Sequence, residues 1–355
     1  MTAFKDSGQV IFVLIYVDDM IVTGINQVCL QVFIDKLHEL FALKDLGSLH
    51  LFLGIEIVRD ATGMYLTQSK YIEDLLEKTV MLNTKPCPTP AAVGKPLAAL
   101  GGEPMKNQRL YKSVIGSLQY VTHTRPDLAF AINKLNQFLQ SPTMIHWNAV
   151  KRVLRYLKGT RNMGLHIKHC DELNLSGYSD ADWACSPDDR KSTASYLVYF
   201  GDTLVSWCSK KQRVVSRSSI ESEYRALAHV SCEIAWLESL LGELTFSLTQ
   251  TPVTWCDNLS ASALAANPVY HSRTKHVEID IHFVRHKVLE KKLDVRYVPS
   301  HDQTADCLTK PLLHSHFKLL RDKLGVVERP LPLPSLIGDA RTLDDDLENQ
   351  RQCRS

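Results

Sequence analysis

Long apolar runs, closely paired cysteines and an excess of either charge are all missing from this chain of 355 residues. The longest apolar stretch, Val10 to Val17, is far short of the roughly 18 residues that a membrane span needs, and two aspartates end it. Neither a spanning helix nor a membrane partner is therefore expected. The opening Met1-Thr-Ala-Phe-Lys-Asp has no apolar core of a secretory signal, so an intracellular protein of cytoplasm or nucleus, not a secreted one, is expected. The nine cysteines include no pair within four residues of each other, which removes CxxC metal and redox motifs and favours reduced thiols. Lys plus Arg number 41 and Asp plus Glu 39, so any basic footprint must be local. With 45% hydrophobic and 23% charged residues, a disordered or fibrous chain is excluded. At roughly 150 residues per domain the length implies two or three domains.

What is present reads as β, then helical, then mixed. Val10–Val17 and Met20–Thr23 flank Asp18-Asp19 and stop at Gly24, a hairpin with two carboxylates at its tip. A helix is expected over 26–41, a second β region over 49–58 with a turn at Thr62-Gly63, and a short helix over 68–78. Residues 83–106 gather Pro86, Pro88, Pro90, Pro96 and Pro104 among Ala and Gly, as an extended linker would. Three helices are expected over 107–123, 126–140 and 143–158, the last with Ser141 as N-cap and Pro142 at its first position. That helix carries Lys151, Arg152, Arg155 and Lys158, with Trp147 and Tyr156 interleaved, and reads either as a solvated face or as a phosphate-binding one.

From residue 173 strands are expected over 173–180, 194–200, 203–208, 252–256 and 293–298. A long helix over 219–243 is striped by Leu227, Val230, Ile234, Leu237 and Leu241, and a last helix is expected over 302–324. The tail from 328 is Pro-rich, then acidic and aperiodic, and disorder is expected there. The implied partition is 1–82, a linker over 83–106, a helical unit over 107–169, an α/β unit over 170–326 and a tail over 327–355.

Two sets of residues could carry chemistry. Asp18 and Asp19 repel each other unless a divalent cation lies between them, although a plain polar turn is the alternative; Mg²⁺ takes one or two carboxylates plus substrate phosphates. Further on, Asp180 ends a strand, Glu223 lies early in the long helix, Asp257 follows a strand and Asp306 opens the last helix. Carboxylates at such ends can converge at one sheet edge, which suits a two-metal hydrolytic site. Glu221 stands at S-x-x-E spacing from Ser218 and has a capping job. Glu223 instead prolongs the apolar stripe, where a carboxylate needs a partner. Asp180 and Asp182 share one strand face. Asp257 serves equally well as N-cap of the helix that follows it. Lys210, Lys211, Arg213 and Arg217 precede the long helix and would either neutralise phosphates or form an exposed basic loop.

Leu14-Ile-Tyr-Val-Asp-Asp-Met-Ile-Val-Thr-Gly24 resembles the palm motif of reverse transcriptases from copia-type retrotransposons. Phe41–Ile57, Tyr111–Tyr120, Thr124–Phe130 and His146–Thr160 are similar to further stretches of the same Pol polyproteins, C-terminal part. Tyr178–Ala184, Ser218–Ala228, Trp255–Asn258 and Asp302–Lys310 resemble their ribonuclease H domain. The resemblance implies an α/β chain: an α+β palm remnant, a helical connection and a ribonuclease H-like fold with a mixed five-stranded sheet. It implies Asp180, Glu223, Asp257 and Asp306 as catalytic ligands of two Mg²⁺ or Mn²⁺ ions, an RNA–DNA hybrid as substrate, and no small-molecule cofactor. His301, five residues before Asp306, would lie on a loop where ribonucleases H can carry a histidine. A polymerase palm also needs a third aspartate on an earlier strand and a set of fingers, yet only fifteen residues precede Tyr16. Asp18 and Asp19 are thus expected to form an incomplete polymerase site, unless an upstream part of Pol acts as partner. The expected function is endonucleolytic hydrolysis of RNA in hybrids; the alternative is an inactive Pol remnant that only binds nucleic acid.

Overall fold

Alternating β-branched residues and short turns build the N-terminal part as a meander. In the computed structural model, which describes residues 2–6, 9–266 and 277–330, strands β1 (Thr2–Asp6), β2 (Gln9–Tyr16) and β3 (Asp19–Gly24) form an antiparallel sheet in that order. The expected tail lies almost wholly outside the described residues. Helix α1 (Gln27–Leu40) follows, with Asn26 as N-cap accepting from the N–H groups of Val28 and Cys29. It has no buried residue, and Ile25, Val28 and Leu40 stand exposed.

Strands β4 (Leu51–Phe52), β5 (Ile55–Asp60) and β6 (Gly63–Thr67) lead into α2 (Ser69–Lys78), α3 (Gln108–Val121), α4 (Ala129–Asn136) and α5 (Met144–Gly159). These helices bury Ile72, Tyr111, Ile115, Leu118, Leu154 and Tyr156 in one core. The N-cap of α5 is Thr143 rather than Ser141, because Thr143 and His146 cap each other's backbone ends reciprocally. Buried Arg125 grips Asp127 through two hydrogen bonds of 3.0 and 2.8 Å, and the Tyr156 hydroxyl donates to the same carboxylate.

The Pro-rich segment is not a free extended linker. Proline removes N–H donors, so neighbouring carbonyls lack backbone partners. Basic side chains of α5 supply them. Lys158 donates to the Thr84 carbonyl at 2.6 Å, Arg155 to the Lys85 carbonyl at 2.7 Å and Arg152 to the Thr89 carbonyl at 3.1 Å. At the other end the Met105 N–H donates to the Pro142 carbonyl.

After α5 come β7 (Met163–Lys168), β8 (Leu175–Asp182), β9 (Thr193–Phe200), β10 (Thr203–Lys211), α6 (Ser219–Glu243), β11 (Val253–Cys256), α7 (Leu259–Ala266), α8 (Glu278–Leu289), β12 (Asp294–Tyr297), α9 (His314–Lys323) and β13 (Val326–Glu328). A second sheet runs β13-β7-β6-β5-β4. It draws strands from before residue 82, from 163–168 and from 326–328, so one hydrogen-bonded sheet spans several of the units expected from composition.

The third sheet carries the site. Its order is β10-β9-β8-β11-β12, with β10, β9 and β8 antiparallel and β11 parallel to both β8 and β12. This is the mixed five-stranded sheet expected of the α/β unit. Helix α6 lies across it and buries Leu227, Val230 and Ile234 with Leu175 and Val198. Gly177 permits that approach, since a Cβ there would lie 2.7 Å from Val230 Cγ2. The single last helix expected over 302–324 is instead two 3₁₀ turns, Ser300–Asp302 and Thr304–Leu308, followed by α9. Pro311 disfavours helical backbone at Lys310 and cannot continue a helix. Among the described residues no helix is long and apolar enough to cross a membrane.

Candidate active site

Four elements deliver one carboxylate each to the region where β8 and β11 end. Asp180 comes from β8, Glu223 from the second turn of α6, Asp257 from the residue after β11, and Asp306 from the second 3₁₀ turn. Asp180, Glu223 and Asp306 are 4%, 7% and 3% exposed, whereas Asp257 is half-buried. The turn bearing Asp306 is sewn to the sheet: Gln303 Nε2 donates to the Ser179 carbonyl at 2.9 Å, and Ser195 Oγ donates to the Ala305 carbonyl at 3.0 Å.

The cap alternatives separate cleanly. Ser218 accepts from the Glu221 N–H at 3.3 Å, and Glu221 pairs with Arg225 at 2.7 Å, so Glu221 belongs to the helix start. Asn258, not Asp257, caps α7 by accepting from the Ala261 N–H at 3.0 Å. The Asp257 carboxylate is left for the cluster and accepts from Ser300 Oγ at 3.0 Å. Thr309 Oγ1 donates to Asp180 Oδ2. Asp306 is a buried turn residue, with Lys310 Nζ 2.8 Å from its Oδ1.

The four groups feel one another. Burial, then the charge of Asp306, pushes the Asp180 carboxyl up to about 7, against the Thr309 hydroxyl and Lys310. Burial, then Asp180 and Asp257, pushes Glu223 up to about 10. Burial pulls the Lys310 ammonium down, but Asp306, Asp180 and Asp257 together lift it above its ordinary value. Burial also raises Asp182, the neighbouring carboxylate on β8. Glu223 Oε2 is buried with no hydrogen-bond partner.

A cluster of carboxylates in which two are forced toward the neutral form is short of positive charge, and Lys310 supplies only part of it. An orphaned, buried carboxylate oxygen beside other acidic donors fits a divalent cation. Among the described residues, the group of donors compact enough for an ion is Glu223, Cys256 and Asp257, whose ligand atoms lie within 4.8 Å of one another. Sequence reasoning did not single out Lys310, Thr309, Ser300 or Cys256. The Asp306–Lys310 spacing of opposite charges four residues apart was a readable signal for the first of these; the hydroxyls and the thiol gave none.

The other candidates lie apart. Asp18 and Asp19 stand exposed at the tip of the β2–β3 hairpin, where Val17 takes a φ of +51° that a β-branched residue rarely adopts. Among the described residues no third donor joins them in a group compact enough for a metal. His301 is exposed and pairs with Asp302 at 3.1 Å rather than entering the cluster. Lys211 pairs with Asp189 at 2.8 Å, while Lys210, Arg213 and Arg217 are exposed. Of the basic face of α5, Arg152, Arg155 and Lys158 are already bound to carbonyls, and Lys151 is half-buried.

Comparison with known proteins bears on most of the chain. A family model described as reverse transcriptase (RNA-dependent DNA polymerase) matches residues 2–93. The retrovirus-related Pol polyprotein from transposon RE1 of Arabidopsis thaliana is 47% identical over 322 residues, covering 91% of this chain. This chain spans only 22% of that relative's length. A putative transposon Ty5-1 protein of Saccharomyces cerevisiae is 32% identical over 227 residues, which cover 63% of this chain and 74% of that protein. Among solved structures, the foamy viral protease-reverse transcriptase in complex with RNA/DNA hybrid matches 91% of this chain and 38% of its own, with a TM-score of 0.49 and 13% identity. The chain belongs to the family of retrovirus-related Pol polyproteins of copia-type transposons.

Proposed function

We propose that the α/β unit hydrolyses the RNA strand of RNA–DNA hybrids with the help of divalent metal. What supports this reading is that Asp180, Glu223, Asp257 and Asp306 come from four separate elements, that Asp306 and Asp257 raise Asp180 while Asp180 and Asp257 raise Glu223, and that Glu223 Oε2 is buried and unpartnered. Their all-oxygen donor set suits Mg²⁺ or Mn²⁺, and these four residues would hold two ions. When bound, such ions supply Lewis acidity toward a phosphoryl oxygen and a lowered pKa for coordinated water.

The protein's own groups prepare that chemistry. Burial and neighbouring charge keep Glu223 protonated and Asp180 partly protonated at neutral pH, so both would have to give up protons to hold a cation. Ser300 and Thr309 hold Asp257 and Asp180 through hydrogen bonds, which fixes the donor oxygens before substrate arrives. Lys310 stays beside Asp306 and adds a positive charge where a phosphate would approach. Lys210, Arg213 and Arg217 lie exposed just before α6 and would receive backbone phosphates of the hybrid. The RNA strand is distinguished by its 2′-hydroxyls.

The test is cleavage of a labelled RNA–DNA hybrid by the full chain in Mg²⁺ or Mn²⁺. The RNA strand is expected to be cut with 5′-phosphate ends and the DNA strand left whole, and Asp257→Asn should abolish the cut. A folded chain that leaves the hybrid intact in both metals would overturn the reading and return the protein to nucleic-acid binding alone.

A further inference from the structure

Strand β11 ends at Cys256, directly before Asp257. Along that strand Thr254 and Cys256 are buried, while Trp255 lies on the other face and stacks on Tyr178. The alternation of a strand thus turns the Cys256 thiol toward α6, the helix that brings Glu223. One donor atom each of Glu223, Cys256 and Asp257 falls within a 4.8 Å group. Among the described residues the thiol's one hydrogen-bond contact is long, 3.9 Å to the Asn258 carbonyl, so little hydrogen bonding is lost if the sulfur is recruited elsewhere. Glu223, which supplies one of the three donor atoms, is 7% exposed, and its Oε2 is buried with no hydrogen-bond partner, so the carboxyl has coordination capacity that the protein leaves unused.

We propose that Cys256, Glu223 and Asp257 form a mixed thiolate–carboxylate site that captures soft divalent cations such as Cd²⁺ and Zn²⁺. The proposal deepens the reading above, because two of its ligands are shared with the site for hard metal. Softness decides between the two. Mg²⁺ gains nothing from sulfur and stays with carboxylate oxygen, whereas a thiophilic cation gains a strong bond by moving toward Cys256. A tetrahedral zinc site needs ligand atoms roughly 3.5 Å apart, so the group must close by about an ångström, within reach of side-chain rotation. Half-buried Asp257 provides the way in. On binding, the Cys256 S–H bond breaks, its proton goes to solvent, and the sulfur lone pair forms the metal bond; no electron is transferred. Occupation removes Glu223 and Asp257 from use by hard metal, so the thiol makes hybrid cleavage sensitive to soft cations.

The experiment titrates Cd²⁺ into the metal-free full chain and follows the ultraviolet thiolate–cadmium charge-transfer band. The wild type is compared with Cys256→Ala, so that the other eight cysteines cancel. The tightest phase of the titration should disappear in the variant. Affinity for Cd²⁺ should fall by more than the roughly 10- to 100-fold that loss of an outer-shell partner costs, because a direct ligand is removed. Glu223→Gln should weaken the same phase while leaving the thiol in place. The rise in melting temperature caused by Mg²⁺ should persist in Cys256→Ala. If that variant fails to fold, Cys256→Ser keeps the shape and is expected to show the same loss. An identical tight phase in the wild type and the folded Cys256 variants would overturn the proposal. Failure of the wild type to cleave a hybrid in Mg²⁺ would count against the proposed function alone, since the spectral comparison decides the thiolate site without it.

Discussion

Replacing Glu223 by Gln isolates the electrostatic cost that metal is proposed to relieve. The ordinary carboxyl value is 4.5, and in the folded chain burial and the neighbouring Asp180 and Asp257 lift it to about 10. Between those values the unfolded chain is ionised and the folded one is protonated, so folding takes up a proton. The contribution is therefore fully present at low pH and is lost as pH rises toward the folded value, at about 1.4 kcal/mol per pH unit. At pH 7.5, three units above the ordinary value, the loss is at most about 4 kcal/mol. Gln does not titrate and escapes it. The new amide instead places N–H donors where Oε2 has no partner, a cost of about 1–3 kcal/mol. The metal-free variant should thus be less stable than wild type near pH 4.5 and more stable by about 1–3 kcal/mol at pH 7.5, with the two curves crossing between about pH 5 and 7. Urea unfolding in EDTA across that range measures the crossing directly. Added Mg²⁺ should reverse the order at neutral pH, because only the wild type gains a ligand that binds the folded state. Parallel curves, or a variant less stable at every pH, would refute the reasoning.

Three further expectations follow from named contacts. Asp257→Asn should remove the Mg²⁺-induced rise in melting temperature without loosening α7, whereas Asn258→Ala should cost about 1 kcal/mol of metal-free stability, because Asn258 is the cap. Lys310→Met should lower metal-free stability by about 1 kcal/mol or more at pH 8 and by less at pH 5, where the buried Asp180 carboxyl is protonated and needs less counter-charge; thermal melts at the two pH values give the difference. Gln at both Arg213 and Arg217 should flatten the salt dependence of hybrid binding by about one unit per lost phosphate contact, whereas Gln at Arg152 and Arg155 should chiefly lower the melting temperature, because those two side chains already hold the 84–89 segment.

The contrast between those two basic groups shows where sequence reading stops. Lys, Arg and an aromatic on one helix face look the same whether they await phosphate or a carbonyl. The partner carbonyls of α5 lie more than sixty residues away, and only the folded chain brings them there. The same distance hides the β13-β7-β6-β5-β4 sheet: β6 and β7 are separated by four helices, and short strands carry no sign of their partners. What local periodicity can express was legible. The N-terminal hairpin, the five strands of the third sheet and the span of α6 all arise from alternation or a 3.6-residue stripe. The different jobs of Glu221 and Glu223 follow from cap spacing and the stripe.

At the site itself, the limit is the choice among chemically equal neighbours. Asp257 and Asn258 are both good caps, and propensity cannot rank them. The register of β11 does: the strand ends at Cys256, and the helix needs its cap at 258. That one-residue decision frees a carboxylate, points it across to Ser300 and leaves the thiol before it facing Glu223. Asp306 shows the same dependence in reverse. Pro311 stops a helix from running on past Lys310, and Asp306 sits buried in a 3₁₀ turn instead of exposed on one long helix. The raised carboxyls of the cluster therefore come from backbone geometry that no single motif encodes. The motifs name the carboxylates, and strand register with a helix stop brings their charges into opposition.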